Sequence, residues 1–194
     1  PEKWNGSGMD TMSYVLAMEE ICCVDASAGV IMSVNNSLVC QIFLDWCSDE
    51  QKARYLTKLS TGEFLGAFSL SEPQSGSDSS NMRMNAVKNG DSYILNGTKN
   101  WVTNGISSDV VIVFAVTDKN VGHKGISAFI IEKGTPGFTT GKKEDKLGIR
   151  GSDTCELYFE NCKVPIENRI QNEGEGFHIA MKTLNGGRIG IASQ

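Results

Sequence analysis

The stretch that decides the fold is residues 68–78, which read Phe-Ser-Leu-Ser-Glu-Pro-Gln-Ser-Gly-Ser-Asp. Its first four residues alternate between apolar and polar, the pattern of a half-buried β-strand. Pro73 then ends the strand, because proline has no N–H to donate to a neighbouring strand. The loop that follows is rich in hydroxyls and backbone N–H groups, which can surround an anion. On these residues alone, an anion-binding loop and a plain turn between strands both stay open.

A second informative stretch is residues 96–104, which read Asn-Gly-Thr-Lys-Asn-Trp-Val-Thr-Asn. Asn96-Gly97 predicts a tight hairpin turn between strands at 93–95 and 98–103. Trp101 offers an apolar plate, and Thr103 places a hydroxyl on the same strand face two residues later. That pair suits a flat ring with a polar edge. Core packing for Trp101 and strand propensity for Thr103 remain the alternative.

Composition and charge exclude several classes of partner. The chain has 194 residues, of which 40% are hydrophobic and 21% charged, and its net charge is −5. A negative net charge gives no global attraction to nucleic acid or to an anionic membrane. We also expect no membrane span, because no apolar run approaches the length that a bilayer requires. The abrupt start at Pro1 suggests an internal piece of a longer protein.

The cysteines and histidines predict no metal site. Six cysteines lie at positions 22, 23, 40, 47, 155 and 162, and no two of them form a Cys-x-x-Cys pair. His123 and His178 are not at ligand spacing. We therefore expect reduced thiols that pack as small hydrophobic side chains, in a reducing compartment.

The first third of the chain has helical periodicity. A first helix begins at Asp10 or the next residue, a second spans about 27–45, and a third begins with a capping box of Ser48 and Gln51. The pair Asn35-Asn36 interrupts the second helix with amides. That pair predicts either a contact between helices or the wall of a ligand site.

Strands follow the helices, and a helix returns at the end. The period changes to two after Gly62, and strands are predicted at 63–71, 79–88, 93–95, 98–103, 110–116, 126–132 and 155–159. Strands joined by turns alone indicate an antiparallel barrel or sandwich. From Gly176 the helical period returns, until Gly186-Gly187 interrupts it. The predicted fold class is α+β, with domains at 1–62, 63–172 and 173–194.

Four motifs carry a family resemblance. Residues 70–78 (Leu-Ser-Glu-Pro-x-x-Gly-Ser-Asp) and 96–104 (Asn-Gly-Thr-Lys-x-Trp-Val-Thr-Asn) resemble the acyl-CoA dehydrogenases. Residues 143–152 (Lys-Glu-Asp-Lys-Leu-Gly-Ile-Arg-Gly-Ser) and 187–193 (Gly-Arg-Ile-Gly-Ile-Ala-Ser) resemble their short-chain, butyryl-CoA branch. The resemblance implies N-terminal helices, a middle antiparallel β-barrel and the truncated start of a C-terminal helix bundle.

The resemblance also implies FAD as the cofactor, although the Gly-x-Gly-x-x-Gly dinucleotide fingerprint is absent. Leu70 and Ser71 would meet the pyrimidine edge of the flavin. Trp101 would cover the flavin face away from the substrate, and Thr103 would bond near flavin N5. The residues so implied are Phe68, Ser69, Leu70, Ser71, Glu72, Pro73, Gln74, Ser75, Gly76, Ser77, Trp101, Val102 and Thr103.

For the acyl-CoA substrate, the resemblance implies contacts at the start of the last helix. The implied residues are Ser77, Asn185, Gly186, Gly187 and Arg188, although Arg188 could equally pair across a helix interface. Glu72 is a tempting general base, but the resemblance gives it to the loop and implies a base beyond Gln194. Residues 146–154 are predicted to form a structural crossing.

The implied activity is oxidation of an acyl-CoA to the trans-2-enoyl-CoA, with electrons passed to an electron-transfer flavoprotein. The parent enzyme would be a homotetramer in the bacterial cytoplasm or the mitochondrial matrix. An acyl-CoA oxidase-like enzyme and a non-catalytic ligand-binding barrel are the alternatives. We expect residues 1–194 alone to bind FAD weakly and to turn nothing over.

Overall fold

Helices lie at both ends of the chain, and strands fill the middle. The computed structural model describes all of residues 1–194. The helices are α1 (Thr11–Val24), α2 (Ala26–Trp46), α3 (49–61) and α4 (Gly176–Ser193). The strands are β1 (Gly66–Ser69), β2 (Asn85–Asn89), β3 (Ser92–Thr103), β4 (Val110–Val116), β5 (Ile126–Glu132), β6 (Phe138–Thr140), β7 (Thr154–Pro165) and β8 (Arg169–Ile170). The predicted α+β class is confirmed, whereas the three domain boundaries stay a prediction.

Capping side chains fix the ends of the N-terminal helices as predicted. The Asp10 carboxylate accepts a hydrogen bond from Ser13 N at 2.9 Å and begins α1. At the start of α3, Ser48 and Gln51 exchange both bonds of a capping box. Gly62 ends α3 in the left-handed region, with a φ of 77°. Each of these ends depends on local chemistry that the sequence displays.

Asn35 joins the helical layer to the sheet. It lies within α2, in a segment with π-helical hydrogen bonds, and only 8% of it is exposed. Its Nδ2 donates to the carbonyl of Leu59 at 3.2 Å, and its Oδ1 accepts from Gly66 N at 2.9 Å. The amide therefore serves a contact between elements, which is one of the two predicted roles, and it fixes where β1 begins.

One helix overturns an expectation about apolar runs. Helix α2 has 21 residues and a mean hydropathy of 1.4, which is long and apolar enough to cross a membrane by length and composition. We expected no run of that kind. The evidence that this provides for a membrane span is weak, because core helices of soluble proteins pass the same test.

The strands form one mixed sheet rather than the purely antiparallel one predicted. The hydrogen-bonded order is β6-β7-β3-β2-β4-β5-β8, and β1 pairs with β4 off this path. Most strand pairs are antiparallel, but β1 pairs with β4 in parallel. β2 also pairs with β4 in parallel, at one residue pair. The end strands β6 and β8 do not pair with each other, so closure into a barrel stays a prediction.

Both faces of the sheet are buried, as the β-branched run at 110–116 predicts. Val110, Ile112 and Phe114 pack in a core cluster with α2, α3 and α4. The alternate residues of β4 pack in a second cluster between the strands. Side chains alternate across a strand, so β4 supplies both cores. The sheet thus places a helical layer on one side, where the candidate site lies.

The predicted Asn96-Gly97 hairpin is wrong. β3 runs unbroken from Ser92 to Thr103, and the turn lies earlier, at Asn89-Gly90-Asp91. Gly97 has a φ of 146° and sits at an irregularity of the β3–β7 pairing. A Cβ at Gly97 would lie 2.8 Å from the Cβ of Met84. The glycine serves a close approach of two backbones instead of a turn.

Three other strand predictions were too long or too short. β1 covers only Gly66–Ser69 of the predicted 63–71, and residues 79–81 form a 3₁₀ turn instead of strand. β7 spans Thr154–Pro165, far beyond the predicted 155–159. Strand ends depend on pairing partners, which local patterns do not specify.

The last helix also differs from its prediction. α4 continues through Gly186-Gly187, which we expected to interrupt it. A Cβ at Gly187 would lie 2.8 Å from Leu38, and a Cβ at Gly190 would lie 2.9 Å from the Tyr14 hydroxyl. These glycines let α4 pack closely on α2 and α1, and this contact offsets their low helix propensity.

We predict that Gly97→Ala destabilises the protein more than Gly90→Ala. Backbone strain at Gly97 costs about 1–3 kcal/mol, and overlap with Met84 adds about 1–3 kcal/mol. Gly90 has a φ of 59° and open space around its Cα, so alanine there costs about 1 kcal/mol. Urea unfolding measures both. Equal losses would contradict the close-approach role of Gly97.

Candidate functional site

A groove of about 420 Å³ lies between the helical layer and the sheet. Segments that are far apart in the sequence form it: α2, the loop after β1, the end of β3 and the middle of α4. The lining residues are Val34, Leu38, Phe68, Leu70, Ser71, Gly76, Ser77, Ser79, Asn100, Trp101, Thr103, Met181, Leu184 and Arg188. A larger cavity of about 580 Å³ lies between α3 and residues 167–172, and no predicted site residue lines it.

A β-bulge in β3 turns the side chains of three residues toward this groove. The register of β3 against β7 shifts between Lys99 and Val102. Lys99 and Val102 are both buried, whereas Asn100, Trp101 and Thr103 all line the groove. A regular strand would place Lys99 and Trp101 on the same face. The extra residue of the bulge changes the phase, so buried and groove-lining residues come from one short stretch.

Trp101 is an exposed apolar plate at the rim of the groove. It has a φ of 57°, which is uncommon for a bulky residue, and 62% of it is exposed. Its backbone N–H donates to Asn100 Oδ1 at 2.9 Å, which supports the strained conformation. Strain and exposed aromatic surface together are typical of binding sites. The indole therefore lies outside the core, contrary to the alternative interpretation, which placed it within the core.

A buried ion pair lies behind the groove. Lys99 Nζ donates to Glu72 Oε1 at 2.8 Å and to the carbonyl of Leu70 at 3.0 Å. The two charged side chains are 0% and 2% exposed. Glu72 also accepts from the backbone N–H groups of Arg83, at 2.6 Å, and Met84, at 3.1 Å. The pair thus joins the exit of β1 to β3 and to the approach of β2.

The pair perturbs both ionisable groups. Burial raises the pKa of the Glu72 carboxyl, but the charge of Lys99 and the hydrogen bonds outweigh burial and hold that pKa below its ordinary value. Burial lowers the pKa of Lys99 to about 8, against the opposing effect of Glu72. Every oxygen of Glu72 is occupied by a donor. Glu72 is therefore not available as a base.

Two backbone N–H groups beside this ion pair have no hydrogen-bond partner in the protein. The carbonyl of Leu70 is bound by Lys99, and the carbonyl of Ser71 accepts from Asn100 N at 2.9 Å. The N–H groups of Leu70 and Ser71 donate to no protein atom. Both residues line the groove and their own carbonyls are occupied, so this part of the wall offers backbone donors. Such a wall suits a ligand edge that carries oxygen or nitrogen acceptors.

Seven of the thirteen residues implied for FAD line the groove, and six do not. Ser69, Glu72, Ser75 and Val102 are buried within the protein, and Pro73 and Gln74 are exposed outside the groove. Ser75 Oγ donates to the Asp78 carbonyl at 2.7 Å, and the Gln74 side chain donates to Glu72. These six residues thus lie outside the groove. FAD binding by the thirteen residues stays a prediction.

The residues implied for the substrate are divided. Ser77 and Arg188 line the groove with Trp101. Gly187 is buried against Leu38, whereas Asn185 and Gly186 line a separate polar cavity on the other side of α4. All four α4 residues lie in the second half of that helix and not at its start, because α4 begins at Gly176. Only Arg188 among them lines the groove.

Sequence reasoning missed Lys99 and Asn100 within a motif that it quoted. Lys99 received no role, because an ammonium in a strand reads as a surface residue. Its burial depends on Glu72, which is 27 positions away. The pairing of a loop glutamate with a strand lysine is a signal that a search for complementary charges could have found.

The crossing at 146–154 has the structural contacts that we expected. Lys146 Nζ donates to the carbonyl of Ser152 at 2.8 Å and to Thr154 Oγ1 at 2.9 Å. Arg150 Nε donates to the carbonyl of Lys146 at 2.6 Å. These bonds satisfy carbonyls of the loop itself.

The cysteines are all free thiols, and most are buried. Burial raises the pKa of Cys155 and Cys162 to about 11 and that of Cys40 to about 12, so these thiols are inert. Cys23 differs from the prediction because it is exposed. No group of three or more His, Cys, Asp or Glu side chains is placed to hold a metal ion.

We predict that Lys99→Met lowers the free energy of unfolding by about 3–5 kcal/mol, because it leaves the Glu72 carboxylate buried without its partner. Urea unfolding at neutral pH measures the loss. Lys146→Met, which removes a partly exposed ammonium from a loop, is the control and should cost less. A loss below 1 kcal/mol for Lys99→Met would contradict the role of the pair.

The pair should also make stability depend on acid. The folded pKa of Glu72 lies below its unfolded value, so its contribution is present above the unfolded value and is lost as the pH falls through the folded one. We predict that the wild type loses more stability between pH 5 and pH 3 than the double variant Glu72→Gln/Lys99→Met, which titrates at neither position. Thermal unfolding across this pH range measures the difference. If the wild type and the double variant lost stability equally as the pH fell, the pKa of Glu72 would be the same in the folded and unfolded states, which would contradict the prediction.

Comparison with known proteins agrees with this geometry. The family model described as "Acyl-CoA dehydrogenase, N-terminal domain" matches residues 1–63, and "Acyl-CoA dehydrogenase, middle domain" matches residues 67–162. An acyl-CoA dehydrogenase of Bacillus subtilis (strain 168) is 52% identical over 194 residues, which cover 100% of this chain and 51% of that protein.

Two solved structures have the same fold over the whole chain. The butyryl-CoA dehydrogenase of Megasphaera elsdenii is 49% identical with a TM-score of 0.97. One chain of a solved structure described as "Electron transferring flavoprotein of Acidaminococcus fermentans" is 51% identical with a TM-score of 0.98. Each match covers 100% of this chain and 51% of the other. The chain spans about half the length of the curated relatives that it matches. The chain belongs to the acyl-CoA dehydrogenase family.

Proposed function

We propose that this chain is part of an FAD-dependent short-chain acyl-CoA dehydrogenase, which oxidises an acyl-CoA to the trans-2-enoyl-CoA. One observation carries the proposal: a single groove brings together the Trp101 indole, the free donors of Leu70 and Ser71, and the Arg188 guanidinium. The short-chain assignment is supported by the butyryl-CoA dehydrogenase of Megasphaera elsdenii, which is 49% identical to this chain.

The groove wall fits a flavin by its chemistry. The exposed indole of Trp101 offers a flat apolar surface for one face of a tricyclic ring. The N–H groups of Leu70 and Ser71 can donate to acceptors on the pyrimidine edge, and the Thr103 hydroxyl can bond near N5. When bound, FAD would accept the hydride that leaves the β-carbon of the acyl group.

The groove also carries groups that fit an acyl-CoA. Arg188 can bind a phosphate or ribose of CoA as a planar cation, and Ser77, which also lines the groove, offers a hydroxyl. Val34, Leu38 and Met181 give an apolar wall for an aliphatic chain. The α-proton requires a carboxylate base. We propose that this base comes from outside residues 1–194, because Glu72 is fully bonded to Lys99 and to backbone donors.

Partners and location follow from the same proposal. The enzyme would pass electrons to an electron-transfer flavoprotein. This proposal is supported by a solved structure described as that of the electron transferring flavoprotein of Acidaminococcus fermentans, one chain of which is 51% identical to this chain. We propose a homotetramer that works in the bacterial cytoplasm or in the mitochondrial matrix, without nucleic acid or membrane partners.

The test uses the full-length protein under anaerobic conditions. We predict a yellow protein whose flavin absorbance is bleached by butyryl-CoA and restored by an electron-transfer flavoprotein. Rapid reoxidation by air alone would favour an acyl-CoA oxidase-like enzyme. A colourless protein that binds no added FAD would favour a non-catalytic ligand-binding barrel and would overturn the proposal.

Two tryptophan variants connect this test to the groove. Trp101→Ala removes the plate on which the ring would stack, so FAD affinity should fall about 5- to 150-fold, since stacking on an aromatic ring contributes about 1–3 kcal/mol. Trp4 does not line the groove, so Trp4→Ala should leave the affinity unchanged. Quenching of FAD fluorescence measures the affinity of both variants.

Residues 1–194 alone should bind FAD weakly. FAD retained stoichiometrically by this piece through gel filtration would contradict that prediction.

A further inference from the structure

We infer that the Lys99–Glu72 ion pair is a positioning device: it orients the Leu70–Ser71 peptide so that the Ser71 N–H faces the groove. The inference rests on the proposed function, in which that donor meets the edge of a flavin. Neither charged side chain lines the groove, so both act through the backbone that they hold.

The first step concerns the direction of one peptide unit. Lys99 Nζ holds the carbonyl of Leu70 at 3.0 Å, on the buried side of the loop. In a trans peptide the C=O and the following N–H point in opposite directions. The N–H of Ser71 therefore points away from Lys99. This N–H is one of the two that have no partner in the protein.

The second step concerns how firmly the segment is held. The carbonyl of Ser71 accepts from Asn100 N at 2.9 Å, directly after Lys99 in β3. Glu72 N and Ser75 O then form a tight turn with a 3.0 Å bond, and the Glu72 carboxylate binds the N–H groups ahead of β2. The segment is thus fixed to β3 and to the residues ahead of β2, so the Leu70–Ser71 peptide cannot rotate without breaking the bond from Lys99 to the Leu70 carbonyl.

The third step asks why a buried charge pair is used here. An apolar pair of similar volume often gives equal or greater stability than a buried ion pair. Apolar side chains would leave the Leu70 carbonyl and the N–H groups of Arg83 and Met84 without partners. A charged pair satisfies all three and also selects one orientation of the peptide. Orientation is the property that a ligand edge with fixed acceptors requires.

The test compares Lys99→Met with Leu59→Ala in the full-length protein. Leu59 is buried in the helical core and does not line the groove, so its truncation lowers stability by a similar amount, about 2–5 kcal/mol. We expect Lys99→Met to weaken FAD binding at least tenfold and Leu59→Ala to change it less than threefold. Equal losses in the two variants would overturn the positioning role.

Hydrogen exchange of the flavin-free protein gives a second readout. In Lys99→Met, the N–H groups of Asn100 and Met84 should exchange at least tenfold faster than in Leu59→Ala, while those of β4 match. A uniform increase along the chain would overturn the inference. If the wild type binds no FAD, the proposed function fails, and exchange alone decides whether the pair orients the loop.

A second variant covers the case in which Lys99→Met does not fold. Glu72→Gln keeps the donor for the Leu70 carbonyl but removes the carboxylate that binds Arg83 and Met84. We expect faster exchange at these two N–H groups and at least a tenfold weaker FAD affinity. Unchanged values for both readouts would contradict the inference.

Discussion

The buried pair of Lys99 and Glu72 is the constraint on which the candidate site depends. Two charges removed from water must stay together, because separation would leave each one buried and uncompensated. One charge comes from the loop after β1 and the other from β3, so two of the four motifs that carry the family resemblance form one unit. Trp101 lies two residues from Lys99, and Ser71 lies next to Glu72. The ion pair therefore joins the two segments that carry Ser71 and Trp101.

The bulge in β3 converts this constraint into a binding surface. Without the phase change, a strand that buries Lys99 would also bury Trp101 and would expose Val102. With it, the strand keeps Lys99 and Val102 inside and presents Trp101 and Thr103 to the groove. The cost is a positive φ at a bulky residue, which Asn100 stabilises through its side chain. Backbone strain at Trp101 costs stability, so a function of the groove explains this conformation and stability does not.

Sequence predicted the parts of the fold that local chemistry decides. Asp10 and Ser48 begin helices, and Gly62 ends one, because capping needs only near neighbours. Gly97 and Gly186-Gly187 were misread for the opposite reason. Gly97 was interpreted as part of a turn, and Gly186-Gly187 as an interruption of a helix. At Gly97 and Gly187 a side chain would instead overlap another segment, and Gly186 lies in a continuous helix with open space around it. The partner that explains Gly97 is Met84, and no local pattern names it.

The same difference between local patterns and contacts with distant segments applies to the candidate site. The family resemblance singled out residues that the structure brings together, since Phe68, Leu70, Ser71, Trp101 and Thr103 line one groove. It could not separate side chains that face the groove from those that support it, because a motif specifies residue types and not directions. Hydrogen bonds make that separation for the polar groups beside the ion pair. The Glu72 carboxylate is bonded to Lys99 and to backbone N–H groups and so supports the fold, whereas the N–H groups of Leu70 and Ser71 have no partner in the protein and stay available to a ligand.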